Sequence, residues 1–306
     1  MAEQKLSWSK AAVHSRTVTD QSHFYFLPGV SHTYASDLPE PLTALYDPNL
    51  TDAPPHRIQE KSKEAFQQMK ANLTRDQCET LELTSKEQSK CQAWHQHRIG
   101  RITSTAFHRV CTASEGTDKT NLVKKTMHYG DSELHRVPAV LWGIDKEDTA
   151  RKHYTDEMSK IHDNFSVQLS GLVVRNDQPH LGASPDGLVS CSCCGRGTLE
   201  IKCPYKYRDG LTGCRNDSQF CLDKSLRLKK GHPYYHQVQL HMFVCNVQYC
   251  DFVVWTSKGV IMRRITRDEE MLRKALPKAE TFFLLHVLPE LLTRSHDPLL
   301  KHSLTR

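Results

Sequence analysis

Apolar residues recur with two different periods along the chain, and these periods predict the order of its helices and strands. Between residues 57 and 80 the apolar positions follow helical spacing and form a partial stripe: Ile58, Ala65, Phe66, Met69 and Leu73. Residues 85–111 also favour helix, with a turn near Gly100. The hydroxyl residues at 103–105 suit the start of a further helix after that turn.

The second half of the chain alternates between strand-like and helical patterns. Residues 138–158 predict a helix with a proline near its beginning. Short β-branched stretches bounded by Gly, Pro, Asn and Asp then predict three strands, within residues 165–177, 180–190 and 197–204. The remaining elements are a helix, a hairpin of two strands and a closing helix, over residues 232–247, 249–266 and 268–292. This order predicts an α/β (α+β) fold with a central sheet.

The sequence before residue 57 differs from the rest in its scattered prolines and weak periodicity. It predicts an extended or weakly ordered lead-in over residues 1–56. Residues 57–306 are then expected to form one folded domain, a length that a single large domain can reach.

Composition and charge narrow the class of protein. The chain is 38% hydrophobic and has no run near the roughly 18 apolar residues that a membrane span needs. Its first residues lack the apolar core of a secretory signal, so we expect an intracellular protein of the nucleus or cytoplasm. The net charge of +6 fits a polyanionic partner without requiring one. The eleven cysteines are expected to stay reduced or to bind metal.

A cluster of charged residues is predicted where SPDG is followed by GTLEIKCP. Glu200 and Lys202 lie two residues apart in one predicted strand, so their side chains share a face, while Leu199 and Ile201 face the core. A hairpin between the strands would bring Asp186 beside Glu200. Because two adjacent carboxylates are costly to leave unpaired, the cluster predicts a divalent cation, Mg²⁺ or Mn²⁺.

This arrangement predicts hydrolysis of a phosphodiester. Asp186 and Glu200 would hold the metal ion, with the backbone carbonyl of Ile201 as a further ligand. Lys202 would orient or activate the attacking water and stabilise developing negative charge. The alternative is a surface hairpin with an ordinary Glu–Lys pair, because the spacing D-x13-E-x-K is common by chance.

Four further segments occur in a fixed order around this cluster: WHQHRIGRITST, LWGIDKEDTA, YYHQVQLHMFV and DFVVW. Together with SPDGLV and GTLEIKCP they resemble, over about residues 90–290, the YqaJ-type viral recombinase family. This family includes phage lambda exonuclease and belongs to the PD-(D/E)XK nuclease superfamily. The resemblance implies a restriction-endonuclease-like core in which helices flank a central mixed sheet. It also implies a Mg²⁺-dependent deoxyribonuclease, a 5′–3′ exonuclease on double-stranded DNA.

The resemblance also implies roles for residues outside the charged cluster. Glu147 would complete the metal shell through water, and Gln237 would position the nucleophilic water or the lysine. Arg98 and Thr105 would correspond to the pocket that holds a DNA 5′-phosphate. The family's T-A-S motif is T-S-T at residues 103–105, so residue 105 keeps a hydroxyl group but is a threonine instead of a serine.

The partner and the biological role follow from the same resemblance. The implied partner is DNA, bound at double-stranded ends. The implied process is recombination, repair or mobile-element processing, and no interaction with a membrane is expected. A homo-oligomer is implied only because the phage members form ring-shaped trimers. Two other functions stay open: a catalytically inactive DNA-binding or scaffold module of this fold, and a transposon-derived domain used for protein interaction. Metal-dependent cleavage of DNA separates the nuclease from both.

A cysteine-rich turn and a basic insertion depart from the family pattern. The thiols of the turn are Cys191, Cys193 and Cys194. They could bind Zn²⁺ with a fourth ligand from Cys214 or Cys221, but C-x-C-C lacks paired C-x2-C knuckles. A hairpin turn with reduced cysteines is therefore the favoured interpretation. The insertion, residues 206–231, is rich in Lys and Arg and either contacts the DNA backbone or forms a solvated loop.

Overall fold

The computed structural model describes residues 38–130 and 137–298, so most of the predicted lead-in lies outside the described residues. The helices in these ranges are α1 (Pro55–Asn72), α2 (Arg75–Thr84), α3 (Gln92–Arg98), α4 (Ser104–Thr112), α5 (Thr120–Thr126), α6 (Pro138–Ser159), α7 (Pro233–Val244), α8 (Glu269–Phe282) and α9 (Leu288–Thr293). The strands are β1 (Ile102–Thr103), β2 (Ser166–Gln168), β3 (Val173–Arg175), β4 (Gln178–Ala183), β5 (Gly187–Cys191), β6 (Gly195–Lys202), β7 (Tyr249–Thr256) and β8 (Gly259–Thr266).

The strands form two mixed sheets flanked by helices, which confirms the predicted fold class. The larger sheet has the order β2-β5-β6-β7-β8, with β6 and β7 parallel and the other neighbours antiparallel. The smaller sheet has the order β1-β4-β3, in which β1 and β4 are parallel. Each of the first two predicted strand segments divides into two short strands. In the second, Pro185 and Asp186 separate β4 from β5, because proline cannot donate to a strand ladder.

The two faces of β6 are covered by different helices. On one face Leu199 and Ile201 pack in a cluster with Ala150 and Tyr154 of α6, as the alternating pattern predicts. On the other face of the sheet, Phe252 and Val254 of the neighbouring strand β7 pack in a cluster with Val238 and Met242 of α7. The face that carries Glu200 is therefore covered by a helix, although alternation alone would allow it to face solvent. Glu200 is only 1% exposed.

A buried ionic network fixes α6 on the larger sheet. The hydroxyl of Tyr154 donates to Asp251 Oδ2 at 2.6 Å. From β8, Arg264 donates to the same carboxylate through Nε, 2.8 Å from Oδ1, and through Nη2, 2.9 Å from Oδ2. Asp251 is 2% exposed, and these donors satisfy a charge that would otherwise be costly to bury. The network holds α6, which carries Glu147, in a fixed position relative to β6 and β7.

The ends of the described chain pack against each other. Residues 42–45 and 48–50 form two 3-10 turns, and Leu42 and Leu50 are buried. The backbone N–H of Asp47 donates to the Leu292 carbonyl at 2.9 Å. The closing helix is present as α8 and α9, joined by a π-helical turn over Phe283–Val287. The domain boundary at residue 56 stays a prediction. Among the helices in the described ranges, none has an apolar stretch long enough to cross a bilayer.

Candidate active site

A cleft of about 550 Å³ opens where β6 ends beside α6 and the start of α7. Four of the residues predicted for the magnesium site and its chemistry line it: Glu147, Asp186, Ile201 and Lys202. The basic insertion forms one wall of the same cleft, through Lys206, Tyr207, Asp217, Gln219, Phe220 and Cys221. The insertion is therefore not only a solvated loop, and its buried Phe220 and Cys221 belong to a hydrophobic cluster with residues of α7 and β7.

Asp186 extends the pairing of β5 and β6 by one residue. Its backbone N–H donates to the Leu199 carbonyl at 3.0 Å, and its Oδ2 accepts from the backbone N–H of Ile201 at 2.6 Å. The hairpin thus brings this carboxylate to the strand that carries Glu200. Burial and the neighbouring Glu200 raise the pKa of Asp186 to about 7, against the opposing effect of Lys202. The two carboxylates therefore resist being charged together.

Glu200 lies at the centre of the contacts between β6 and α7. Its Oε1 accepts a hydrogen bond from Gln237 Nε2 at 2.6 Å and forms an ion pair with Lys202. Its Oε2 accepts no hydrogen bond from any residue in the described ranges, although His241 Nδ1 lies 3.3 Å away. Burial lowers the pKa of His241 to about 3, so its ring is neutral. Burial also raises the pKa of Glu200.

Lys202 points into the cleft between Glu200 and the ring of Tyr234. Burial by itself would lower the pKa of Lys202, but the carboxylates of Glu200 and Asp186 raise it above its ordinary value. Its Nζ lies 4.6 Å from the centroid of the Tyr234 ring, a cation–π contact. Lys202 is therefore a fixed positive charge at neutral pH, which suits it to stabilise negative charge rather than to accept a proton.

Glu147 reaches the cleft from α6 and shares a partner with Asp186. Arg151, one helical turn further along, forms an ion pair with Glu147, and its Nε donates to the backbone carbonyl of Asp186 at 2.9 Å. Burial, followed by the charge of Asp186, raises the pKa of Glu147 to about 7. The sequence motifs did not indicate Arg151 or His241, although these residues lie four positions after Glu147 and Gln237 on the same helices.

The donors in the cleft fit a hard divalent cation. Asp186 and Glu147 offer carboxylate oxygens in the cleft, and Glu200 lies buried next to it, paired with Lys202. Ile201, the residue between Glu200 and Lys202, also lines the cleft and offers a carbonyl. Burial and the neighbouring carboxylates raise the pKa of Asp186 and of Glu147 although Lys202 and Arg151 lie nearby, so a further positive charge would stabilise the ionised forms of both groups. The buried Oε2 of Glu200 also lacks a hydrogen-bond donor among the described residues. A cation with oxygen ligands would correct both deficits.

Arg98 and Thr105 lie outside the residues that line the cleft in the described structure. The guanidinium of Arg98 stacks on the Trp94 ring, 3.8 Å from its centroid, and Trp94 Nε1 donates to Ser184 Oγ at 2.9 Å. Since Ser184 is two residues before Asp186, this chain of contacts ties Arg98 to the loop that carries Asp186. Thr105 is exposed in the first turn of α4, with its Oγ1 3.1 Å from that of Thr103.

Comparisons with known proteins identify a matching family and similar solved structures. The model of the YqaJ-like viral recombinase domain matches residues 93–248. The structure is similar to an alkaline exonuclease from Laribacter hongkongensis, with a TM-score of 0.48, 24% identity, and 68% of this chain and 95% of that chain covered. It is also similar to the shutoff and exonuclease protein of Kaposi's sarcoma-associated herpesvirus, with a TM-score of 0.49, 11% identity, and 71% and 74% covered. No curated protein matched the chain.

Proposed function

Because the chain belongs to the YqaJ-like viral recombinase domain family, we propose that it is a metal-dependent nuclease that hydrolyses phosphodiester bonds of DNA. The observation that carries the proposal is the meeting of Asp186, Glu147 and Lys202 in one cleft, with the buried Glu200 paired to Lys202. Buried carboxylates with raised pKa values beside a fixed ammonium group are costly to keep, and such clusters are typical of catalytic sites. The cleft is open to solvent, as a polymeric substrate requires.

The proposed division of labour assigns metal binding to oxygen donors. Asp186, Glu200 and the Ile201 carbonyl would hold Mg²⁺ or Mn²⁺, and Glu147 would reach it through water. When bound, the ion supplies a Lewis acid for the scissile phosphate and lowers the pKa of a coordinated water. Glu147 is suited to an indirect role because it already pairs with Arg151.

The remaining residues would orient these ligands and stabilise charge. Gln237 donates to Oε1 of Glu200 and so fixes the rotation of that carboxylate, which turns Oε2 towards His241. Lys202, held protonated by its neighbours, would stabilise the negative charge that develops on the phosphate oxygens. Gln237 is therefore proposed as a positioning residue rather than one that touches the substrate.

The finer proposal is a 5′–3′ exonuclease that acts on double-stranded ends, with Arg98 and Thr105 near the 5′-phosphate. It rests on the sequence motifs and on the contacts that tie Arg98 to the loop of Asp186. A ring-shaped trimer stays a prediction. The basic wall of the cleft, with Lys206 among its residues, is where the DNA backbone would lie.

The direct test is digestion of linear, 5′-phosphorylated double-stranded DNA by the full chain. We expect loss of DNA with Mg²⁺ or Mn²⁺ and none with EDTA, because the carboxylates cannot polarise a phosphate without the ion. Shortening from the ends would support exonuclease action, whereas internal cuts in circular DNA would support an endonuclease. A chain that binds DNA but cleaves none with either metal would instead be a binding module, and the catalytic proposal would be withdrawn.

Arg98 gives a separate prediction about the ends of the substrate. We expect Arg98→Ala to reduce the preference for 5′-phosphorylated over 5′-hydroxyl ends by about tenfold or more, because a charge-assisted hydrogen bond to phosphate is lost. The measurement is the ratio of kcat/KM on the two substrates. Arg57→Ala, an exposed position on α1, is the matched control. An unchanged ratio in Arg98→Ala would remove Arg98 from the phosphate pocket.

A further inference from the structure

A second group of metal-ligating side chains lies at the opposite end of the β5–β6 hairpin from Asp186. Cys191 ends β5, and Cys193 and Cys194 occupy the turn before β6. His162 reaches them from the loop that follows α6. Asp186 directly precedes β5, so the length of that strand separates the two sites by roughly 17 Å. The cluster therefore belongs to neither the cleft nor its chemistry.

The four donor atoms lie close to one another. His162 Nδ1 is 3.0 Å from the sulfur of Cys193, 3.6 Å from that of Cys194 and 3.7 Å from that of Cys191. The sulfur of Cys193 is 3.4 Å from that of Cys191 and 3.8 Å from that of Cys194. All four ligand atoms lie within 4.8 Å of one another.

These distances correspond to the edges of a tetrahedron around one metal ion. With Zn–S near 2.3 Å and Zn–N near 2.0 Å, tetrahedral geometry gives S–S edges of about 3.8 Å and S–N edges of about 3.5 Å. Five of the six separations, 3.0 to 3.8 Å, lie close to those edges, and the sixth, between the sulfurs of Cys191 and Cys194, is within 4.8 Å. Hydrogen bonding among thiols alone does not require all four donors to point at one centre.

Further hydrogen bonds, from backbone N–H groups and from Asn164, hold the turn and the loop after α6 together. The N–H of Ser192 donates to the Asp163 carbonyl at 2.9 Å, and Asn164 Nδ2 donates to Ser192 Oγ at 3.0 Å. The N–H of Cys194 donates to the sulfur of Cys191 at 3.2 Å, a contact that stabilises a thiolate ligand. The turn and the loop after α6 are therefore already positioned for a shared ligand.

We propose that Cys191, Cys193, Cys194 and His162 bind one structural Zn²⁺ ion. Three thiolates and an imidazole are soft donors that suit Zn²⁺ and disfavour Mg²⁺, and four protein ligands close the site to substrate. The ion would join the end of α6 to the tip of the hairpin. Because α6 carries Glu147 and the hairpin carries Glu200, the same ion would support the spacing of the distant cleft.

The proposed site differs in two respects from the expectations drawn from the sequence. The C-x-C-C spacing favoured a plain turn with reduced cysteines, because it provides no second knuckle. The structure supplies the missing ligand from His162, which is 29 residues before Cys191. The fourth ligands considered in the sequence, Cys214 and Cys221, lie instead in the apolar cluster against α7.

Metal content of the full chain, purified under reducing conditions, tests the proposal. We expect about one zinc per chain by elemental analysis, and loss of that zinc in His162→Ala and in the double variant Cys193→Ser/Cys194→Ser. Two matched variants should keep it: Cys78→Ser, a thiol on α2, and Asp186→Asn, which alters only the cleft. Zinc that disappears with Asp186→Asn but survives the cysteine substitutions would overturn the proposal.

Titration with Co²⁺ provides a second measurement for the case in which a variant folds poorly. The zinc-free native chain should give the intense absorption of tetrahedral cobalt–thiolate coordination, and Zn²⁺ should displace it. Cys193→Ser is the mildest test, because Cys193 is exposed and its substitution disturbs no core packing; we expect at least tenfold weaker Co²⁺ binding. A native chain without zinc and without this spectrum, or one that forms a Cys191–Cys193 disulfide instead, would overturn the proposal. Neither readout depends on nuclease activity.

Discussion

Asp186→Asn is expected to lower metal-dependent cleavage of DNA by about 10³-fold or more. Asparagine keeps an oxygen that can accept from the N–H of Ile201, so the hairpin geometry is retained. It removes the negative charge that would hold the ion beside Glu200. The measurement is the rate of digestion at saturating Mg²⁺, together with Mg²⁺ or Mn²⁺ binding by calorimetry. We expect both the turnover and the metal affinity to fall.

The same substitution should leave the metal-free protein as stable as the native chain or more so. The pKa of Asp186 is raised to about 7 by burial and by Glu200, so its ionised form is unfavourable near neutral pH. Asn removes that repulsion, and a gain in stability with a loss of activity is typical of functional residues. Asp177→Asn, an exposed carboxylate paired with Arg175, is the control and should leave cleavage unchanged. Cleavage by Asp186→Asn at a tenth of the native rate would exclude the proposed metal ligand.

The approach of Asp186 to Glu200 could be predicted because strand geometry is periodic. Side chains in a strand alternate between faces, so Leu199 and Ile201 had to share one face and Glu200 and Lys202 the other. Because the turn after β5 is short, β6 must run antiparallel to β5. Asp186, the residue before β5, therefore lies beside the far end of β6, where Glu200 is. These are local constraints, and the sequence contains them in full.

The cover over Glu200 could not be predicted in this way. His241 and Gln237 reach Glu200 from α7. About thirty residues separate the end of β6 from the start of α7, so no local constraint determines that this helix packs over Glu200. Taken alone, Gln237 on a helix indicates a surface residue. In the structure it is 7% exposed and bonded to a buried carboxylate. The resemblance to a family placed Gln237 in the site, whereas helical periodicity did not.

The same limit explains why His162 was missed as a ligand. Its contacts with the cysteines arise because the end of α6 meets the tip of the hairpin, an outcome of how α6 packs on the sheet. That packing depends on Tyr154 and its hydrogen bond to Asp251, 97 residues away in sequence. Spacing rules for metal motifs cover ligands that are close in the chain, so they do not detect a ligand supplied by tertiary structure.

Lys202→Met is expected to lower the rate of cleavage by about 10²–10⁴-fold while DNA and metal binding are kept. The ammonium group is fixed between Glu200 and the Tyr234 ring, and the carboxylates keep its pKa above the ordinary value. It can therefore stabilise charge in the transition state without first being reorganised. The measurement is single-turnover digestion at saturating Mg²⁺, with DNA affinity measured in Ca²⁺. Lys202→Arg should not restore the rate, because a planar guanidinium cannot replace a compact point charge.

Stability and metal dependence distinguish this loss of activity from misfolding. Without Lys202, Gln237 is the one donor to Oε1 of the buried Glu200 among the residues that the structure describes, so we expect the metal-free variant to lose about 3 kcal/mol of unfolding free energy. Mg²⁺ should recover part of this loss, because the ion binds the same carboxylates in the folded state only. Lys63→Met, an exposed lysine of α1, is the matched control and should behave as the native chain. If Lys202→Met regains stability with Mg²⁺ and still cleaves within tenfold of the native rate, the ammonium group has a structural role and the metal ion alone carries the chemistry.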